Sequence, residues 1–212
     1  MDDDARVRAF LAVPLDEASR SVALAWQHAV REALRADGED VDALRWVPAE
    51  ALHVTLHFLG NVAGADLPVL GEAAERALVG VCGFPLRFEA PTGFPQSRRP
   101  RVVVLPARPQ APLADLAARL RDAVAAWVPM AEDRPYRPHL TLARVRRGKR
   151  VRLPSVTASV TTAADASVVT ECVLFRSDLS AEGARYSPLA RFPLEAPEAG
   201  GSGDGASAPV HP

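Results

Sequence analysis

Cysteine, net charge and long apolar runs are all in short supply in this sequence, and each shortage removes a class of protein. Two cysteines, Cys82 and Cys172, stand in 212 residues, beside Val81 and Val173 and without C-x-x-C spacing. Neither a disulfide framework nor a thiolate zinc or redox motif is encoded, and both read as buried thiols. Lys and Arg total 25 against 26 Asp and Glu, so the molecule has no overall field for bulk DNA or anionic lipid, and any nucleic-acid contact must be local. No segment approaches the roughly 20 apolar residues of a membrane helix. The opening MDDDARVRAF is acidic where a secretory leader would be basic, and the expectation is a cytoplasmic protein without membrane contact. Core material, by contrast, is plentiful: 48% of residues are hydrophobic, enough for one generous domain or two small lobes.

Hydrophobic spacing predicts a strand in VRAFLAVPL, then a helix from Asp16 to a stop at Gly38, with an acidic first turn and apolar positions at helical intervals. WVPAEALHVTLHFLGN leads through a turn at Pro48 into a second strand, a helix follows over Leu67 to Val79, and FPLRFEAPTGF is extended. The second half echoes this order. PRVVVLPA is a strand; Leu113, Leu116, Leu120, Val124 and Trp127 share one face of a helix; HLTLARV is a strand; at least one more lies in TASVTTAADASVVTECVLFRSDLS; YSPLARFPL closes the sheet. Two copies at this length do not make a solenoid. They fit an α+β fold of two lobes, each a mostly antiparallel sheet with helices outside, the two sheets facing one another across a central cleft. Residues 1–195 form this single bilobal domain. From 196 the text is Gly, Ser, Ala and Pro and reads as a disordered tail carrying His211.

Histidine is scarce too, and its placement is informative. Of five histidines, two head nearly the same phrase: HVTLHFLG from His53 and HLTLAR from His139. In a strand, alternate residues share a face, so His53, Thr55 and His57 point one way while Val54, Leu56 and Phe58 point toward the helices; His139 and Thr141 share a face in the same manner. Each motif offers an imidazole and a hydroxyl about 6–7 Å apart. That set suits in-line displacement at a phosphodiester, which needs a base on the attacking side and an acid on the leaving side, and histidine can be either near neutral pH. The threonine hydroxyls can donate to the phosphate oxygens. A lone strand histidine is more often structural, but two matching copies favour a functional pair. Zinc at His53 and His57 fails on geometry, because four residues along a strand span about 13 Å; no metal and no cofactor is expected.

Other candidates are weaker. His57 could line the cleft edge. Arg144 has the parity of Leu140 and Leu142, which turns it away unless a bulge or the strand end returns it. Arg98, Arg99 and Arg101, and Arg146, Arg147, Lys149 and Arg150, form two basic patches that could hold an RNA backbone. Phe94 and Tyr136 lie nearest the motifs among aromatic residues that could stack on a base. His28 reads as structural.

These paired motifs resemble the 2H phosphoesterase superfamily, and within it the RNA 2′,3′-cyclic phosphodiesterase (LigT-like, or 2′-5′ RNA ligase) family. RAFLAVPLDEASR, WVPAEALHVTLHFLG, GFPQSRRPRVVVL, RPYRPHLTLAR and LFRSDLSAEGARYSPLARFPL resemble successive family segments, from about Arg6 to Leu194. The resemblance implies metal-independent hydrolysis of an RNA 2′,3′-cyclic phosphate to a 2′-phosphate. His53, Thr55, His139 and Thr141 fall in the positions of the family's tetrad, and Arg144 matches its substrate-contacting arginine. His53 is assigned as the acid on the leaving O3′ and His139 as the base on water, the near-symmetry of the two motifs leaving the reverse assignment open. The partner implied is RNA with a cyclic phosphate end, such as tRNA halves or nucleotides. The family name also records the reverse, 2′-5′ joining reaction, and since both directions share one phosphoryl chemistry the sequence leaves the choice between them open; a monomer is expected. The alternatives are a 2H enzyme for a small cyclic nucleotide or oligoadenylate, and a non-catalytic RNA-end binder.

Overall fold

The computed structural model describes residues 6–128, 135–156, 167–180 and 183–197; the tail from 198, His211 and the segment 157–166 lie outside the described residues. Strand β1 (Arg6–Pro14) runs into helix α1 (Glu17–Ala36), whose first turn is capped by the Asp16 carboxylate accepting from the Ser19 N–H at 2.7 Å. The helix stops where Gly38 takes φ 72°, a left-handed conformation that needs no β-carbon. Strands β2 (Leu44–Trp46) and β3 (His53–Ala63), helix α2 (Leu67–Leu78) and three short strands follow: β4 (Phe84–Pro85), β5 (Arg87–Phe88) and β6 (Thr92–Phe94). Then come β7 (Val102–Arg108), helix α3 (Gln110–Val124), β8 (His139–Val145), β9 (Val168–Val169), β10 (Glu171–Ser180) and β11 (Gly183–Pro193). Trp127, expected on the inner face of α3, lies beyond its end and is partly exposed. Cys172 is buried as expected, and its thiol is pushed up to about 12 by burial and then by the nearby Glu171 charge; Cys82 is only half-buried.

The two expected lobes are present as halves of one antiparallel sheet in the order β11-β10-β1-β3-β8-β7-β5, with β2 beside β8 and β6 beside β7. The halves are not the two halves of the chain. β10 and β11, from the end of the sequence, extend the sheet of β1, while β2, from its beginning, pairs with β8. Helices are exchanged as well. Gln27 on α1 donates to the Val47 and Leu142 carbonyls at 2.8 and 3.0 Å, pinning α1 to the β8 half. α3, from the second half of the chain, packs on β3, and α2 lies against α3 and β11. One continuous core results, with Leu34, Leu44, Leu105, Leu120, Leu140 and Leu142 all fully buried.

The join between the halves is narrow. β3 and β8 pair at a single position, Val54 opposite Leu140; beyond it β2 takes the place beside β8. The two sheets thus meet edge to edge at the heads of the two motif strands.

Candidate active site

That one pair builds the site. Val54 and Leu140 both point into the core with no exposed surface, so their flanking residues point to the opposite face. Antiparallel register sets His53 across from Thr141 and Thr55 across from His139, with facing β-carbons about 4.5–5.5 Å apart. The quartet expected from the sequence is brought together, on neighbouring strands with an approximate two-fold relation.

The backbone also orients both rings alike. His53 Nδ1 lies 2.8 Å from the Ala51 carbonyl oxygen and His139 Nδ1 lies 2.7 Å from that of Arg137, in each case two residues back. A carbonyl can only accept, so Nδ1 carries the proton and Nε2 is left for chemistry. In His53 this Nε2 accepts from the Thr55 hydroxyl at 3.0 Å.

Their surroundings differ. His139 is exposed. His53 is only partly exposed and sits among rings: Phe10 at 4.9 Å between centroids and Tyr186 edge-on at 5.1 Å. Burial pushes the His53 pKa down to about 4, the Ala51 hydrogen bond partly opposing it and the charges of Arg144 and His139 reinforcing it. In the free protein at neutral pH His53 therefore holds no extra proton, opposite to the state an acid needs.

Two bulges decide which residues join the quartet. Across β1, Ala12 opposes Thr55 but Leu11 opposes His57, which leaves Leu56 as an extra residue; across β7, Val104 opposes Thr141 but Val103 opposes Ala143, which leaves Leu142 extra. Both bulges fall three residues after the histidine. An extra residue reverses the alternation. Arg144 consequently shares the face of His139, near enough to His53 for its charge to disfavour the imidazolium; the parity objection to Arg144 is overturned. His57 goes the other way. It lies toward α3, its pKa lowered by burial and then by the Arg121 charge, with Asp122 opposing, and so it does not line the site. Phe58, expected among the helices, is turned to the site face and is 44% exposed.

Three further expectations change. Tyr136 is not free to stack: its hydroxyl donates to the Thr55 carbonyl at 2.7 Å, and its pKa is raised by burial first and by Cys172. It ties the lead-in of the second motif to the strand of the first. Arg98 and Arg99 lie in the turn between β6 and β7, beyond the row Phe94–Val102–Arg144 and farther from the quartet. In the other basic patch, Arg146 donates to the Asp42 carbonyl at 3.0 Å and Lys149 pairs with Asp40 at 3.1 Å, so both serve the fold. Sequence reading missed Arg45, Arg185 and Tyr186, which with Arg144, Trp46 and Ala51 line a cavity of about 300 Å³ beside His53, Glu50 being its one acid among the described residues. Arg45 is opposite Arg144 in the β2–β8 pairing; no sequence spacing announces that neighbour.

The Tyr136 strut yields a prediction. Tyr136→Phe keeps the ring but deprives a backbone carbonyl of its donor, which costs about 1 kcal/mol, up to 3 if the carbonyl stays dry. Urea unfolding should show a lower midpoint at unchanged m-value, together with a lower kcat at similar KM. An unchanged kcat would mean that the strut supports the fold without aligning Thr55.

Among relatives, the model of the 2′-5′ RNA ligase superfamily matches residues 20–178. The chain belongs to this superfamily. An RNA 2′,3′-cyclic phosphodiesterase of Methanothermobacter thermautotrophicus is 31% identical over 191 residues, 89% of this chain and 100% of that protein. One of Geobacillus stearothermophilus is 28% identical over 200 residues; the chain spans 60% of its length. Among solved structures, a Thermus thermophilus protein matches with a TM-score of 0.72 at 29% identity, covering 89% of this chain and 98% of that one. Escherichia coli LigT complexed with 3′-AMP matches with a TM-score of 0.68 at 31% identity, covering 90% and 99%. The LigT-like fold of the superfamily thus agrees with the curled antiparallel sheet seen here. Among the described residues, no helix is long and apolar enough to cross a membrane, and no group of three or more His, Cys, Asp or Glu could hold a metal ion.

Proposed function

We propose that this protein hydrolyses RNA 2′,3′-cyclic phosphate ends to 2′-phosphates. The observation that carries the reading is the Val54–Leu140 pairing, which supports a site built from two histidine–threonine pairs at facing positions of neighbouring strands, each ring held through Nδ1 by a backbone carbonyl. The activity of the curated relatives supports it. His139, on the open side, takes a proton from water through Nε2; the water oxygen bonds to phosphorus; the P–O3′ bond breaks; and His53 Nε2 gives its proton to O3′. Thr55, released from His53, and Thr141 donate to the phosphate oxygens, and Arg144 faces the charge that develops there.

The low pKa of free His53 fits this division once substrate is counted. A phosphate charge about 4 Å away contributes roughly 4 kcal/mol at an effective dielectric of 20, and each pKa unit is about 1.36 kcal/mol. An interaction of that size raises the His53 pKa well above about 4, toward the protonated state an acid needs. The arriving phosphate charges its own acid.

A metal-free assay with EDTA, using a short RNA that ends in 2′,3′-cyclic phosphate, tests the activity; product ending in 2′-phosphate is expected. The acidic limb of kcat/KM, which reports the free enzyme, should lie near pH 4, where His53 titrates. In kcat, which reports the complex, that limb should move upward because the phosphate stabilises the imidazolium. Coincident limbs would remove substrate-raised His53 from the mechanism, and absence of product would remove the activity.

A further inference from the structure

The bulge at Leu56 also delivers a group that the mechanism above does not use. Phe58 stands 44% exposed on the site face, its ring nearly parallel to Phe10 at 6.1 Å and 6°. Phe10 in turn touches the His53 ring, so Phe58 is one aromatic spacing farther from the reacting phosphate than the rings that pack His53. The Arg8 guanidinium lies 4.5 Å from the centre of the Phe58 ring. Arg8 also lines, with Arg6, Asn61 and Arg176, a cavity of about 270 Å³ at the start of β1. The acid there, Asp178, is paired with Arg176 at 2.8 Å, which leaves Arg6 and Arg8 without a carboxylate partner among the described residues.

We propose that Phe58 and Arg8 clamp the base of the nucleotide preceding the cyclic end, with that nucleotide's phosphate at the Arg6–Arg8 cavity, so that the substrate is an RNA strand of at least two nucleotides laid across β1 and β3. The inference rests on the cyclic-phosphate reading above. An exposed aromatic ring accepts any base, and a guanidinium plane can lie on the base's other face. In the free protein Arg8 rests on the π surface that the base would take. The direction agrees with the chemistry: O3′ belongs to the RNA's own ribose, and the acid that protonates it, His53, stands on the half of the sheet that carries Phe58, while water enters at exposed His139. The equivalent position after the second bulge is Arg144, so one motif supplies an aromatic ring and the other a cation.

The test compares kcat/KM on an RNA trinucleotide ending in 2′,3′-cyclic phosphate with that on adenosine 2′,3′-cyclic phosphate, for the wild type, Phe58→Leu, Phe58→Trp and Arg8→Ala. Loss of stacking in Phe58→Leu should lower the trinucleotide value about tenfold more than the mononucleotide value, and Phe58→Trp should recover it. Arg8→Ala should act in the same direction and flatten the salt dependence on the trinucleotide. Equal losses on both substrates, or no recovery by tryptophan, would overturn the clamp while leaving the activity standing. A wild type inactive on both substrates would overturn the cyclic-phosphate reading and the clamp with it.

Discussion

Replacing His139 or His53 with alanine should lower kcat/KM on an RNA 2′,3′-cyclic phosphate about 10²–10⁴-fold each, the range for loss of one proton-transfer group. The two losses differ in their side effects. His139 is exposed, so its removal should leave the unfolding midpoint nearly unchanged. His53 packs against Phe10 and Tyr186, and its removal should also lower stability, while His53→Gln retains more of the packing without the titrating ring. Because each histidine serves one side of the same displacement, the double variant should be little worse than the worse single one. Full turnover in either single variant would refute the paired mechanism.

Leu140→Ala should cost about 2–5 kcal/mol, the usual range for truncating a fully buried leucine. The position has no exposed surface, and among the described residues it forms the one pairing between the two halves of the sheet. The cavity would open beneath the histidines, so kcat of the folded protein should fall as well. Leu140→Met, which nearly conserves volume, should cost less than about 1.5 kcal/mol and keep activity. Chemical denaturation read with activity separates the outcomes. If Leu140→Ala lost stability but kept kcat in its folded fraction, the join would hold the sheet together without aligning the quartet.

The tetrad was legible because its code is local. Alternation along a strand sets Thr55 beside His53 and Thr141 beside His139, and apolar Val54, Leu56, Leu140 and Leu142 mark the buried side of both strands. Alternation fails at the first extra residue. Nothing in HVTLHFLG announces that Leu56 opposes no partner, since a bulge arises from how β1 and β3 twist against each other. For that reason parity alone puts His57, Phe58 and Arg144 on the wrong face. The role of Tyr136 escaped for a related reason, its hydroxyl meeting a carbonyl in another strand.

The sequence by itself determined the three helices and the principal strands other than β2, the α+β class, the buried leucines and the histidine–threonine pairs, because helix and strand periods and side-chain alternation act between near neighbours along the chain. Only the tertiary structure decided that β10 and β11 complete the sheet of β1, that α1 covers the β8 half, and that the halves meet at Val54 and Leu140. Those choices belong to strand edges and core volume shared by distant segments, which the order of residues along the chain does not display.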